Sequence, residues 1–288
     1  MIIEYCDTLY PKQLREIKNP PSRLYVLGNI DILQEIGIAV VGSRTHSQYG
    51  EKMCKTFTKN LVEYNINVIS GLAKGIDAIA HKTCLEYSGK TIAVLPSGLE
   101  NIYPKENILL ARQILDKGGV LVSEYEPKTE ADSKKFLERN RIVAGLGIGT
   151  LVVEAGYRSG TRVTAKITKE QNKPVFCLPS SLENSKGISS NELIQKGANL
   201  VTKIENILDF YPNITFSKKN LEIQKVNDNP VSKELKKIYE VIKDIPIHAN
   251  EITKKTGLPI SEVNYKLLML QLDEKIMELP GQKFIRKE

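Results

Sequence analysis

From Ile38 onward, six short apolar runs alternate with segments of helical pattern: "IAVV" (38–41), "VIS" (68–70), "TIAVL" (91–95), "VLVS" (120–123), "TLVV" (150–153) and "PVFC" (174–177). Runs of this length, rich in valine and isoleucine and lacking polar alternation, are strands buried on both faces. A parallel sheet covered by crossover helices provides that burial. Helices are expected to start near Gln48, Gly75, Lys105, Phe136 and Thr161. The alternation predicts an open, doubly wound α/β fold with a mainly parallel sheet. At 288 residues and 41% hydrophobic content, the chain can build that domain and a small second one.

The flanking sequence has a different grammar. Residues 1–35 contain "YPKQLREIKNPPSRLYVLGNI", whose Pro-Pro pair predicts an extended lead-in to the core at 36–212. Residues 213–230 lose periodicity and are rich in Asn and Lys, as a linker would be. Residues 231–288 show three stretches with apolar residues at three- and four-residue spacing, a break at Gly257 and a hairpin signal at Pro280-Gly281. Three helices and a hairpin predict a winged-helix-like domain. Its third stretch displays Glu262, Asn264, Lys266, Asp273 and Glu274, a mixed and rather acidic face that suits partner docking better than reading of DNA sequence.

Composition narrows the function classes. No apolar run approaches the roughly 20 residues needed to cross a bilayer, and the N-terminus lacks a signal-peptide pattern, so a cytoplasmic protein without membrane association is expected. Cys6, Cys54, Cys84 and Cys177 are scattered, with no C-x-x-C pair and no histidine at ligand spacing; reduced thiols and no metal are expected. The net charge of +7 is compatible with a polyanion partner.

Open sheets bind ligands beyond the carboxyl ends of their strands, and four loops there are unusual. After the first core strand, where a dinucleotide site would carry G-x-G-x-x-G, stand Gly42, Ser43 and Arg44. "SGLAKGIDAIAH" offers Gly71, Lys74 and Gly75 as an anion cradle, then Asp77 and His81 one helical turn apart, placed for a structural hydrogen bond or an acid-base role. "FLERNRIVAGLG" puts Phe136, Arg139, Asn140 and Arg141 at an expected helix start, where cations oppose the dipole; the set suits stacking a base and clamping phosphates. "VVEAGYRSGTRVTA" carries Glu154, then Arg158, Ser159, Gly160 and Thr161 as a helix cap and anion cradle. Glu154 could orient an amide, hold a ribose hydroxyl, or act as a catalytic carboxylate. No nucleophile-base-acid set is apparent among these loops, so no catalytic residue or cofactor is expected. Repeated phosphate-sized cradles point to a polymer.

With "VGSRTHSQYG", "SGLAKGIDAIAH", "IAVLPSGLENIYPKEN", "GVLVSEY", "FLERNRIVAGL", "VVEAGYRSGTRVTA" and "NELIQKGANL" in this order, the sequence resembles the DNA processing protein A (DprA, or Smf) family over about Tyr10 to Phe210. The resemblance implies a Rossmann-like domain that binds single-stranded DNA, forms homodimers and loads RecA recombinase during natural transformation. Carried over by motif, the DNA contacts would be Ser43, Arg44, Lys74, Phe136, Arg139 and Arg141, with Ser159, Gly160 and Thr161 lining the groove. Lys74 stands where the family commonly has arginine, Leu137 replaces a usual proline, and "LPSSLENSKGISSNELI" departs from the usual Pro-Gly and Gly-Cys-Asn pattern. The helical domain resembling a sterile alpha motif that precedes the core in many members is not expected. The alternative is an enzyme resembling the lysine-decarboxylase-like nucleotide phosphoribohydrolases, with Glu154 catalytic. "GTLVVEAG" places Glu154 one residue beyond that family's Gly-Thr-x-x-Glu spacing, and the neighbouring Pro-Gly-Gly is lacking.

Overall fold

All six expected strands lie in one sheet, and the sheet is larger than they are. In the computed structural model, which describes residues 1–157, 159–219, 233–243, 246–272, 275–279 and 281–286, the chain divides into two units at Gln224/Lys225. The first unit runs β1 (Ile2–Glu4), α1 (Lys12–Arg15), β2 (Arg23–Gly28), β3 (Gly37–Gly42), α2 (Gln48–Glu63), β4 (Asn67–Ser70), α3 (Ile76–Glu86), β5 (Thr91–Val94) and α4 (Ile108–Asp116). It continues with β6 (Val120–Ser123), α5 (Ser133–Leu146), β7 (Gly149–Glu154), α6 (Gly160–Glu170), β8 (Val175–Cys177), α7 (Ile188–Gln195), β9 (Asn199–Leu200) and α8 (Glu205–Leu208).

The strand order is β1-β2-β6-β5-β4-β3-β7-β8-β9, parallel from β6 to β9 and antiparallel at β1 and β2. The doubly wound reading therefore holds, and alternation of side chains along each strand explains why both faces must be covered. In β3, Ile38 and Val40 pack with Phe57 and Leu61 of α2 and Ile76 of α3. Ala39 and Val41 face the other way, toward Ile142 and Val143 of α5 and Ala165 of α6. Each fully buried valine or isoleucine contributes about 1.5–3 kcal/mol.

Residues 1–35, read as an extended lead-in, in fact supply β1 and β2, which extend the sheet beyond β6. The reason is burial: Leu24, Tyr25 and Val26 are 0–8% exposed, so "RLYVLG" after the Pro-Pro pair behaves as one more covered strand. Of the segment read as a linker, residues 220–230 lie outside the described residues, but its first part packs on the larger unit. Phe216 joins the α2 side of the core, and Lys219 donates its backbone N–H to Glu63 O.

The second unit contains α9 (Lys233–Tyr239), β10 (Ile247–His248), α10 (Ala249–Thr256), α11 (Ile260–Leu272), β11 (Ile276–Leu279) and β12 (Lys283–Arg286), with sheet order β10-β12-β11. Gly257 closes α10 at φ +69°, the left-handed conformation that a helix C-terminus favours. Pro280 of the expected hairpin turn lies outside the described residues, as do Asp273 and Glu274. On the rest of α11, Lys266 is tied to Glu262 at 2.7 Å, while Asn264, Tyr265 and Leu268 are exposed. Among the described residues no helix is long and apolar enough to cross a membrane.

Candidate functional site

β3 stands at the point where the winding direction reverses: β4, β5 and β6 extend the sheet on one side of it, and β7 returns to the other. The helices that follow β3 and β7 cover opposite faces, and a crevice opens between the two departing loops. Here it is a cleft of about 510 Å³. Gly42, Ser43, Arg44, Phe136, Arg139, Asn140, Ser159, Gly160 and Thr161 line it together with Asp77 and Tyr157; Gly71, Lys74, Gly75 and Arg141 do not.

The Ser43–Arg44 loop is pinned by its neighbours. Ser43 N–H donates to Glu154 O at 2.9 Å, and Ser43 O accepts from Ile76 N–H at 3.1 Å. Gly75 makes that second contact possible. It sits at φ +79°, and a Cβ there would come within 2.3 Å of Ser43 O. Arg44, held by this backbone, lies over the ring of Phe136 at 4.8 Å from its centroid. Tyr103 meets the same ring edge-on at 5.6 Å. No carboxylate among the described residues lies within ion-pair distance of Arg44. The result is a cation stacked on a half-buried aromatic platform, an arrangement worth about 0.5–2 kcal/mol.

The remaining cations fall elsewhere. α5 begins at Ser133, capped by Asp132 Oδ1 accepting from Lys135 N–H at 2.8 Å, three residues before the expected start. Arg139 is therefore in the second turn, where the dipole argument does not apply. Its guanidinium is turned inward at 3% exposure and donates to Gly71 O at 2.6 Å and to Val94 O. Gly71 is no cradle: a Cβ there would lie 2.5 Å from two Arg139 nitrogens, so this glycine admits the guanidinium. Burial lowers the pKa of Arg139 to about 10, with the Asp77 carboxylate opposing and Arg44 reinforcing the shift. Arg141 is rotated away from the face shared by Phe136, Arg139 and Asn140 and pairs with Glu124. Lys74 pairs with Glu106 on the exposed surface.

Asp77 and His81 share a helical face and do not bond to each other. Asp77 Oδ2 accepts from Gly71 N–H at 3.1 Å, and burial raises its pKa against the pull of Arg139. His81 Nδ1 lies 2.7 Å from Thr91 Oγ1, which already donates to Val68 O, so Nδ1 carries the proton. Burial, with Arg139 adding to it, lowers the His81 pKa from 6.5 to about 3. Between those values the unfolded chain takes up a proton that the folded chain refuses. This contribution is therefore complete above pH 6.5 and is lost as pH falls toward 3. His81→Gln is expected to show a shallower loss of stability than the wild type in denaturant titrations between pH 7 and pH 5; equal slopes would refute this assignment.

Glu154 is 1% exposed and does not line the cleft. It accepts from Ser47 N–H and Asn184 Nδ2, each at 2.8 Å, and from Ser47 Oγ. The carboxylate on which the phosphoribohydrolase alternative rests is thus spent on joining the loop after β3 to the loop after β8. In the same cleft, Ser159 occupies the N-cap position of α6, yet its buried Oγ makes no cap bond and has no hydrogen-bond partner among the described residues. Arg158 lies outside the described residues. The sequence reading missed Tyr103 and Lys186. The one signal for Tyr103 was an aromatic before Pro104 in a loop leaving β5; Lys186 sits where the family pattern breaks.

These features define an open α/β protein with a basic, aromatic cleft at its switch point and a separate winged-helix unit. Residues 1–212 match the family described as DNA recombination-mediator protein A, and residues 224–282 match the DprA winged helix domain; the chain belongs to the DNA processing protein A family. It is 37% identical to protein Smf of Escherichia coli over 94% of this chain and 74% of that protein. To DNA processing protein DprA of Streptococcus pneumoniae it is 40% identical over 70% of this chain and 71% of the other. The X-ray structure of DprA from S. pneumoniae superposes with a TM-score of 0.69 at 38% identity, covering 76% of this chain and 75% of that one. The structure of DNA processing protein A from Helicobacter pylori, described for its single-stranded DNA binding mode, gives 0.64 at 32% identity over 69% and 91%.

Proposed function

We propose that this chain is a cytoplasmic, non-catalytic protein that binds single-stranded DNA in the switch-point cleft, acts as a homodimer and passes the strand to RecA recombinase. The observation that carries the DNA reading is that one cleft is lined by both the Arg44–Phe136 platform and Ser159, whose hydroxyl at the start of α6 has no hydrogen-bond partner among the described residues. The ring serves a base through its face and the guanidinium on it a phosphate through its charge, while a helix N-terminus and a hydroxyl serve a further phosphate. The single-stranded DNA binding of the H. pylori relative supports the same reading. Dimerisation and strand transfer rest on the family resemblance.

The test is fluorescence anisotropy with a labelled single-stranded oligonucleotide at two salt concentrations, with duplex as competitor. The wild type should bind the single strand in preference, with strong salt dependence. Arg44→Ala should weaken binding to every sequence and lower the logarithmic salt slope by about 0.7, the share of one phosphate contact on a single strand. An unchanged slope would remove Arg44 from the phosphate path.

A further inference from the structure

The cleft does not end at its rim. Lys186 lines it and also lines a second groove walled by Gln48, Tyr49, Pro179 and Ser180, whose lining among the described residues holds no carboxylate. The loop carrying Lys186, where the sequence departs from the family pattern, is tied down by hydrogen bonds. Asn184 Nδ2 donates to Glu154 Oε1 at 2.8 Å and to Ser180 Oγ at 3.0 Å, while Asn184 Oδ1 accepts from Lys186 N–H at 3.1 Å. Lys186 Nζ donates to His46 O at 3.0 Å, which leaves two of its three donors for another acceptor. No carboxylate among the described residues forms an ion pair with it. Beside it, Tyr49 is 42% exposed, and its hydroxyl donates to Pro179 O at 2.9 Å, fixing the ring at the groove wall.

We propose that a bound single strand crosses Lys186 and continues into this groove, with a phosphate on the Lys186 ammonium and a base against Tyr49. The proposal rests on the reading of the cleft as a single-stranded DNA site. Three features favour a strand as the occupant: the groove is continuous with the cleft through one shared cation, no carboxylate lines its surface, Glu154 being held behind Ser47 and Asn184, and it pairs that cation with a fixed, exposed ring. Sequence-tolerant strand tracks are built from such cation and aromatic pairs.

The experiment measures affinity of the full chain for oligothymidylates of increasing length. Wild-type affinity should rise in a step once the oligonucleotide is long enough to pass Lys186. Tyr49→Leu should lower the ratio of long- to short-oligonucleotide affinity about tenfold. Lys186→Ala should lower the salt slope for the long oligonucleotide by about 0.7. Lys166→Ala, on an exposed side chain of α6 outside both sites, should leave ratio and slope as they are. Ratios and slopes unchanged in Tyr49→Leu and Lys186→Ala, or shifted equally in Lys166→Ala, overturn the second subsite. Wild-type affinity that does not grow with length removes this subsite while leaving the cleft standing. Absence of binding at every length removes both.

Discussion

Replacing Arg139 by alanine is expected to cost the larger unit about 3–5 kcal/mol of folding stability, the scale for leaving a buried charge uncompensated. Three partners would be stranded. Gly71 O and Val94 O lose their donor, and the Asp77 carboxylate, itself 7% exposed, loses the charge that offsets its desolvation. The alanine would also leave a void among the ends of β4, β5 and α5. Arg139→Lys should recover part of the loss, because an ammonium keeps the charge and its donors but lacks the planar guanidinium that fills the space over Gly71. Urea unfolding monitored by circular dichroism measures both variants. A loss below about 1 kcal/mol for alanine, the net worth of an ordinary hydrogen bond, would show that the guanidinium is dispensable inside and available to DNA. The expected result makes Arg139 a positioning residue: its guanidinium also lies 5.8 Å from the Phe136 ring centroid, so it sets the floor on which the platform rests.

Arg139 also shows where sequence reading stops. Its presence in the site was legible because Phe136, Arg139 and Asn140 recur at helical spacing on one face, and the structure brings all three to the cleft. Its direction was not, since a buried arginine and a phosphate clamp use the same side chain in the same motif. What separates them is Gly71, 68 residues earlier, whose missing Cβ opens the space. Glu154 follows the same logic: its partners Ser47 and Asn184 are distant in sequence and share no motif with it.

The parallel core was legible because each expected strand repeats one local signal, a short apolar run without polar alternation. Strand β2 carries that signal in "LYVL", but the adjacent Pro-Pro pair argued for an extended lead-in outside the sheet. The start of α5 lies upstream of Arg-Asn-Arg because Asp132 supplies the side chain that caps it, a signal shared in the sequence with Thr129 and Ser133.

Phe136→Ala is expected to have the larger effect on DNA, about 1–3 kcal/mol of binding free energy, the cost of losing one base–aromatic stack, or roughly fivefold to more than a hundredfold in affinity. Its effect on folding should be smaller. The ring is half-buried, and its edge contact with Tyr103 is worth about 0.5–1.5 kcal/mol. The two platform residues should leave different signatures. Losing Arg44 removes a charge and so lowers the salt slope, whereas losing Phe136 removes a face and leaves the number of displaced counterions nearly unchanged. Because Arg44 rests on the ring, the double variant should lose less affinity than the sum of the singles, as residues in contact do. Phe136→Leu separates packing from stacking: it refills the space beside Tyr103 but offers no π face. Binding by Phe136→Leu as tight as the wild type would make the ring a spacer for Arg44. Weak binding with an unaltered salt slope would place a base on it.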